Sequence, residues 1–365
     1  MKNTFGNGLS LTVFGESHGE AVGVVLDGIA PGLTVCDESI RNALTKRRPC
    51  GAYSTGRVEE DNYRILSGVK NGVTTGAPLA LMIENKNIRS EDYEGDFIPR
   101  PSHADYSAHM KYHGFEDRAG GGHFSGRVTA PIVAVCAILE DALRERLGIE
   151  IGTHILSLHG ICDEKMRGTK EEVEKLASLT FPVLSDTVGE RMKEEILRAR
   201  EMGDSVGGVL ESAIVGVPAG LGEPWFDSVE SVLSHLLFSI GGIKGVSFGE
   251  GFALSEMLGS EANDPYILQD GEVRTQKNAN GGILGGLTNG MPILVRCAVK
   301  PTPSIRKSQR SVNLDTMEET TLEVRGRHDG AIVHRVASVV NACLAFGIAD
   351  LLVTRFGTDV LREGL

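Results

Sequence analysis

The order of patterned segments predicts an α+β protein built as a sandwich. Short runs that alternate apolar and polar residues, the mark of half-buried antiparallel strands, recur along the whole chain. Amphipathic stretches at 3.6-residue spacing interrupt them irregularly, without the strand–helix alternation of a doubly wound parallel sheet. Glycine adds a third observation: 46 of 365 residues, against a usual share of ~7%. The glycines fall in non-periodic clusters, which points to tight turns and close backbone approaches.

Taken in order, residues 10–14 and 22–27 read as strands around Phe14-Gly15-Glu16-Ser17-His18-Gly19. A histidine between glycines is more often structural than catalytic, but a carboxylate and a hydroxyl flank this one and can fix its tautomer. Ile40 to Arg48 reads as a helix ending at Pro49, with Arg47 and Arg48 at its exit. Strand-like runs follow at Tyr63–Val69 and Pro78–Glu84. The segment from Arg100 to Pro131 reads as loop, with His103, His109, His113, His123 and the triplet Gly120-Gly121-Gly122. A helix follows, carrying Ile132, Val135, Cys136, Leu139 and Leu143, with Thr129 as its expected cap and Pro131 in its first turn. A glycine-rich loop with an arginine entering a helix is a place to hold an anion.

Ile149 to Leu158 alternates as a strand, and 160–185 reads as variable loop. A helix from Asp186 to Met202 stops at Gly203. Gly207–Val217 is a strand, Ser228–Phe238 a helix, and Val246–Leu254 a strand between Gly241-Gly242 and the cluster Gly281 to Gly286. Pro292 to Val299 alternates and delivers Lys300-Pro301-Thr302-Pro303-Ser304. Segment 305–322 reads as polar and mobile, and Arg325 to Gly330 precedes a long final helix. No composition break resembles a linker, so 1–365 reads as one domain.

A net charge of −12 argues against nucleic acid or an anionic membrane as the main partner. Anionic small molecules stay open, because the cations cluster: Arg41, Lys46, Arg47, Arg48 and Arg57 in one group, Lys300, Arg306, Lys307 and Arg310 in another. Six cysteines without metal spacing, and no recognisable leader, fit a reducing cytoplasm. No apolar run approaches ~18 residues, so no membrane span is expected. There is no nucleophile elbow and no Walker sequence. Arginines fork onto phosphate and carboxylate, and histidines exchange protons near neutral pH. These residues point to an enzyme acting on a small phosphorylated acid.

The segments FGESHGEAVG, KRRPCG, ILSGVKNGVTTGAPLAL, RPSHADY, KYHGFEDRAGGG, GVPAGLGEPWFD, GGILGG, KPTPSI and GRHDG, in this order, resemble chorismate synthase from about residue 4 to residue 352. The resemblance implies a β-α-β sandwich, a homotetramer, and conversion of 5-enolpyruvylshikimate 3-phosphate to chorismate by 1,4-anti elimination of phosphate. It implies reduced FMN without net redox change, delivered by an external reductase since no nicotinamide-binding unit is left over. By the same resemblance His18 protonates the departing phosphate, His103 keeps the flavin correctly protonated, and Asp329 lies near the flavin ring. Arg47 and Arg48 match a pair that meets phosphate or carboxylate, and Arg47 matches a position tied to the nicotinamide nucleotide (NADP) in bifunctional relatives. Arg127 and Arg335 fall to the substrate. The flavin falls to Arg47, His123, Phe124, Ser125, Gly241, Gly242, Gly285, Lys300, Pro301, Thr302, Pro303, Ser304 and Arg327. No metal is implied.

Departures are concentrated. Many members read GGGRSSARET where this chain has GGGHFSGRVT, placing His123 for an arginine, Phe124 for a small polar residue and Val128 for a glutamate. Gly241-Gly242 replaces Asn-Ala, and Asp329-Gly330 replaces Asp-Pro. Both histidines, the arginine pair and the aspartate survive, so a divergent active enzyme is expected. The rivals are a flavin-dependent oxidoreductase on the same fold and a non-catalytic binding descendant. His109 and His113 are expected to be surface or structural residues, His154, His159 and His235 ordinary strand and helix residues, and Trp225 part of the packing.

Overall fold

The computed structural model describes residues 2–54, 60–86, 96–324 and 329–365. Strands Thr4–Phe5 (β1), Ser10–Gly15 (β2) and Ala21–Asp27 (β3) form an antiparallel meander that leads into helix Asp37–Arg47 (α1). Tyr63–Ser67 (β4), the small ribbon Val69–Lys70 (β5) with Val73–Thr74 (β6), and Leu79–Glu84 (β7) follow. They complete a five-stranded sheet in the order β1-β2-β3-β7-β4. Val22, Val24 and Leu26 of β3 and Leu79, Leu81 and Ile83 of β7 are buried at every second position, as period-2 patterning requires.

The central stretch contains helices Asp105–Tyr112 (α2) and Thr129–Leu147 (α3). Then come Glu150–Leu158 (β8), Ile161–Cys162 (β9), Lys170–Ala177 (α4), Asp186–Glu201 (α5), Gly208–Val215 (β10), Val229–Ser239 (α6), Ile243–Phe248 (β11) and the single turn Gly259–Ala262 (α7). Hairpins Tyr266–Gln269 (β12) with Glu272–Thr275 (β13), and Ile283–Leu284 (β14) with Leu287–Thr288 (β15), lead to Ile293–Val299 (β16). The hairpin Gln309–Asn313 (β17) with Glu318–Leu322 (β18) precedes Val333–Phe356 (α8) and Val360–Glu363 (α9). The second five-stranded sheet runs β11-β16-β10-β8-β9.

Between the sheets lies a helical layer. Helix α3 packs on β3 and β7, α8 packs on β8 and β10, α6 packs on β11, and α3 and α8 pack on each other. The result is a β-α-β sandwich. Because α3 and α8 are covered on nearly all sides, their apolar residues are not confined to a stripe; Val133 to Leu139 of α3 are all buried. Helix α8 is long and apolar enough to cross a membrane, with hydropathy 2.1, yet 89% of that window is buried inside the fold. It is the core helix of the sandwich.

Several expectations are corrected. The Arg100–Pro131 stretch is not all loop, since α2 forms within it. Thr129 does not cap α3: the cap position is Val128, and Thr129 Oγ1 instead donates to Gly126 O at 2.6 Å. Segment 160–185 holds α4, started by a capping box in which Thr169 and Glu172 satisfy each other's backbone N–H groups. The strand expected over Val246–Leu254 runs Ile243–Phe248 and gives way to a 3-10 turn at Gly251–Glu256. Segment 305–322 is largely a hairpin, and Trp225 is 84% exposed rather than packed.

Candidate active site

A cavity of about 910 Å³ opens between the glycine loop, the 100–105 segment, the 300–304 segment and the first turn of α8. That is at the roomy end of the ~300–1,000 Å³ typical of ligand sites. Its walls include His103, Ser125, Arg127, His123, Phe124, Gly241, Gly242, Lys300, Pro301, Thr302, Pro303, Ser304, Arg47, Asp329 and Arg335. Most of the residues singled out in the sequence therefore converge. His18 stands behind Gly120, and Arg48 lies just outside the wall. Gly285 sits in the β14–β15 turn, away from the cavity, and Arg327 lies outside the described residues.

The glycine loop is shaped by positive φ: Gly120 at 61°, Gly121 at 83° and Gly122 at 51°. A Cβ on Gly122 would meet Asp117 O at 2.0 Å, so no side chain fits there. Gly122 O accepts from Ser17 N at 3.0 Å, and His123 Nδ1 donates to Gly15 O at 2.8 Å. Asn85 Nδ2 donates to Glu16 O and Gly19 O, both at 2.9 Å. The His18 loop is thus clasped on both sides by backbone and by His123.

His103 donates through Nδ1 to Pro101 O at 3.2 Å, which leaves Nε2 to accept from Ser304 Oγ at 2.9 Å. Burial, with the Arg100 guanidinium beside it, pushes its pKa down to about 4. The imidazole is therefore neutral at pH 7. Arg100 is held by a two-pronged pair to Asp105, both contacts 2.8 Å. Lys300 Nζ donates to Ser102 O at 2.6 Å, and burial lowers its pKa. Asp329 pairs with Arg335 at 2.7 Å, and Arg335 Nε donates to Arg47 O at 3.0 Å, joining α8 to the end of α1. Arg47 is 4% exposed.

One of the departures has a local reason. A Cβ on Gly330 would come within 2.8 Å of Ile196 O, so a side chain there requires a shift. Gly241 has open space where a Cβ would stand, and Phe124 stacks edge-on with Tyr112 at 6.2 Å while half exposed. Sequence reasoning missed Arg100, Asn85, His235 and Asp61. Neither Arg100 nor His235 had a sequence signal: Arg100 reaches Asp105 across a loop at no regular spacing, and His235 packs on Phe5 at 4.5 Å through the fold. His154 is no ordinary strand residue: it is fully buried between Asp163 (3.4 Å) and Glu211 (3.0 Å).

A family model described as chorismate synthase matches residues 9–353. The chain is 46% identical to the chorismate synthase of Thermococcus kodakarensis, covering 95% of this chain and 96% of that protein. It is 46% identical to that of Pyrococcus abyssi, with 96% and 97% covered. A crystal structure of chorismate synthase superposes with TM-score 0.78 at 30% identity, covering 99% of this chain and 96% of that one. The chain therefore belongs to the chorismate synthase family, lyases of the shikimate pathway.

Proposed function

We propose that the cavity binds 5-enolpyruvylshikimate 3-phosphate beside reduced FMN and eliminates phosphate in the 1,4-anti sense. The observation that carries this reading is the meeting, around one cavity, of Arg47, Arg127, Arg335 and Lys300 with a half-buried neutral histidine. A substrate bearing one phosphate and two carboxylates matches such a set of cations. The residues also suit a flavin: Thr302 Oγ1 is buried on the wall without a hydrogen-bond partner, and Gly241 leaves open space for a flat ring. Lys300, Thr302 and Ser304, with Phe124 and His123, line the cavity and would hold the cofactor. Reduced FMN, when bound, would supply the electron density that eases loss of phosphate, with no net redox change.

This chain's own residues do the rest. The arginines bind and orient the anions, and His18 protonates the departing phosphate. His103 holds a proton position through the Ser304 contact; a bound dianion raises its pKa from the low value of the free cavity. Asp329, fixed by Arg335, faces the same space. Exposed Trp225, Phe226, Phe252, Leu258, Tyr266 and Leu268 support burial against other copies in a homotetramer. Free thiols, three of them buried in the core, support a cytoplasmic setting.

His103→Ala tests the assignment. It is expected to keep the melting temperature and FMN binding, read by flavin fluorescence, while turnover falls at least ~100-fold. Full turnover in that variant removes His103 from the chemistry.

A further inference from the structure

Asp61 precedes β4 and takes a left-handed φ of 45°, which turns its side chain inward. That side chain is 0% exposed. Its Oδ1 accepts from Arg127 Nη1, while its Oδ2 lies 3.3 Å from Arg48 Nε and 3.6 Å from Arg47 Nη1. The three guanidiniums come from two separate elements, the exit of α1 and the glycine loop. Uncharged acceptors aim each one further, Arg48 through Nη2 to Glu60 O. Arg47 donates to Thr129 Oγ1 and Gly126 O, both at 3.1 Å, and Arg127 Nε donates to Asn85 Oδ1 at 3.0 Å. Arg47 and Arg127 line the cavity, whereas Asp61 does not.

We propose that Asp61 is the positioning residue of the substrate's anion clamp. It fixes the spacing of Arg47 and Arg127, the two arginines that line the cavity, from behind, with Arg48 as a third tie outside the wall. Three like charges brought this close repel one another, and one shared counter-ion within 4 Å of each offsets that repulsion. Because the carboxylate stands outside the cavity, it does not compete with the ligand for the same space. The proposal rests on the reading of these arginines as substrate-binding.

The test compares Asp61→Asn and Asp61→Glu with the native chain, using saturating reduced FMN and 5-enolpyruvylshikimate 3-phosphate. Competition by inorganic phosphate and a melting curve accompany the kinetics. Asp61→Asn is expected to raise the substrate KM and the phosphate inhibition constant together by about 10- to 100-fold, with a smaller change in kcat. Asp61→Glu keeps the charge but displaces it, and is expected to raise KM several-fold; it carries the test if Asp61→Asn does not fold. A fall in kcat at unchanged KM would mean a structural role only. Tighter phosphate binding in Asp61→Asn would mean that the carboxylate competes with the ligand. Either result overturns the proposal. If the native chain does not turn the substrate over, the substrate reading fails instead, and phosphate binding by thermal shift still reads the clamp.

Discussion

Gly120 lies beside His18 in the glycine loop, and replacing it with alanine probes how closely that loop sets the imidazole. A Cβ on Gly120 would stand 2.7 Å from His18 Nε2, 2.9 Å from its Cδ2 and 3.0 Å from Ser17 Oγ. Ordinary contact begins near 3.4 Å, so the imidazole or the loop must move by about 0.7 Å. Misplacing a catalytic group by ~1 Å costs on the order of 100-fold in rate, and Gly120→Ala is expected to retain a few per cent of native kcat/KM. The fold loses much less. Holding alanine at φ +61° costs about 1–2 kcal/mol. For a chain this long that lowers the melting temperature by only about 1–3 °C. The assay is anaerobic turnover with reduced FMN beside a melting curve. Activity within twofold of native would refute the idea that this contact sets His18. Loss of activity together with a melting shift beyond ~5 °C would locate the damage in the fold.

Two further predictions concern buried charge. Asp350 Oδ1 on α8 accepts from Asn7 N, Gly8 N and Leu9 N at 3.0, 2.7 and 2.8 Å, tying the N-terminal segment to the core. Asp350→Ala strands all three donors and should cost about 3–5 kcal/mol in chemical denaturation. Asp350→Asn keeps that oxygen and should cost under ~1 kcal/mol, since burial already holds the carboxyl pKa up; equal losses would contradict this. For His154, burial disfavours the charged ring, but Asp163 and Glu211 outweigh it and raise the pKa. Glu211 is shared with Arg296 at 2.8 Å. A raised folded pKa gives stability that is present below the unfolded value and lost as pH rises through the folded one. The melting temperature should therefore fall as pH rises above the ordinary 6.5, and His154→Gln should be less stable and lack that slope. An unchanged slope in the variant would show that other groups cause it.

Periodicity was enough for the elements whose partners are regular. Residues 292–299 alternate because β16 lies between β10 and β11 with one face on the helical layer. The glycine triplet and the 300–304 run marked the cavity because those residue types have few other uses in such density. What stayed hidden depends on long-range register. His154 became a charged-network residue only because β8 and β10 pair it directly with Glu211. Asp61 looked like a polar residue before a strand, and its contacts exist only when α1 and the glycine loop converge. The hairpin of β17 and β18 lacks an apolar face, so polarity read as mobility. Helix α4 was legible but overlooked: Thr169 and Glu172, followed by the buried Val173 and Leu176, carry the capping-box signal.

The most direct measurement is anaerobic turnover of 5-enolpyruvylshikimate 3-phosphate by the full chain with chemically reduced FMN, following chorismate, phosphate and flavin oxidation together. The account predicts equal release of chorismate and phosphate with the flavin still reduced at the end. Flavin oxidised in step with substrate would mean net electron transfer, and binding of both ligands without product would mean that the cavity holds them but has lost the chemistry.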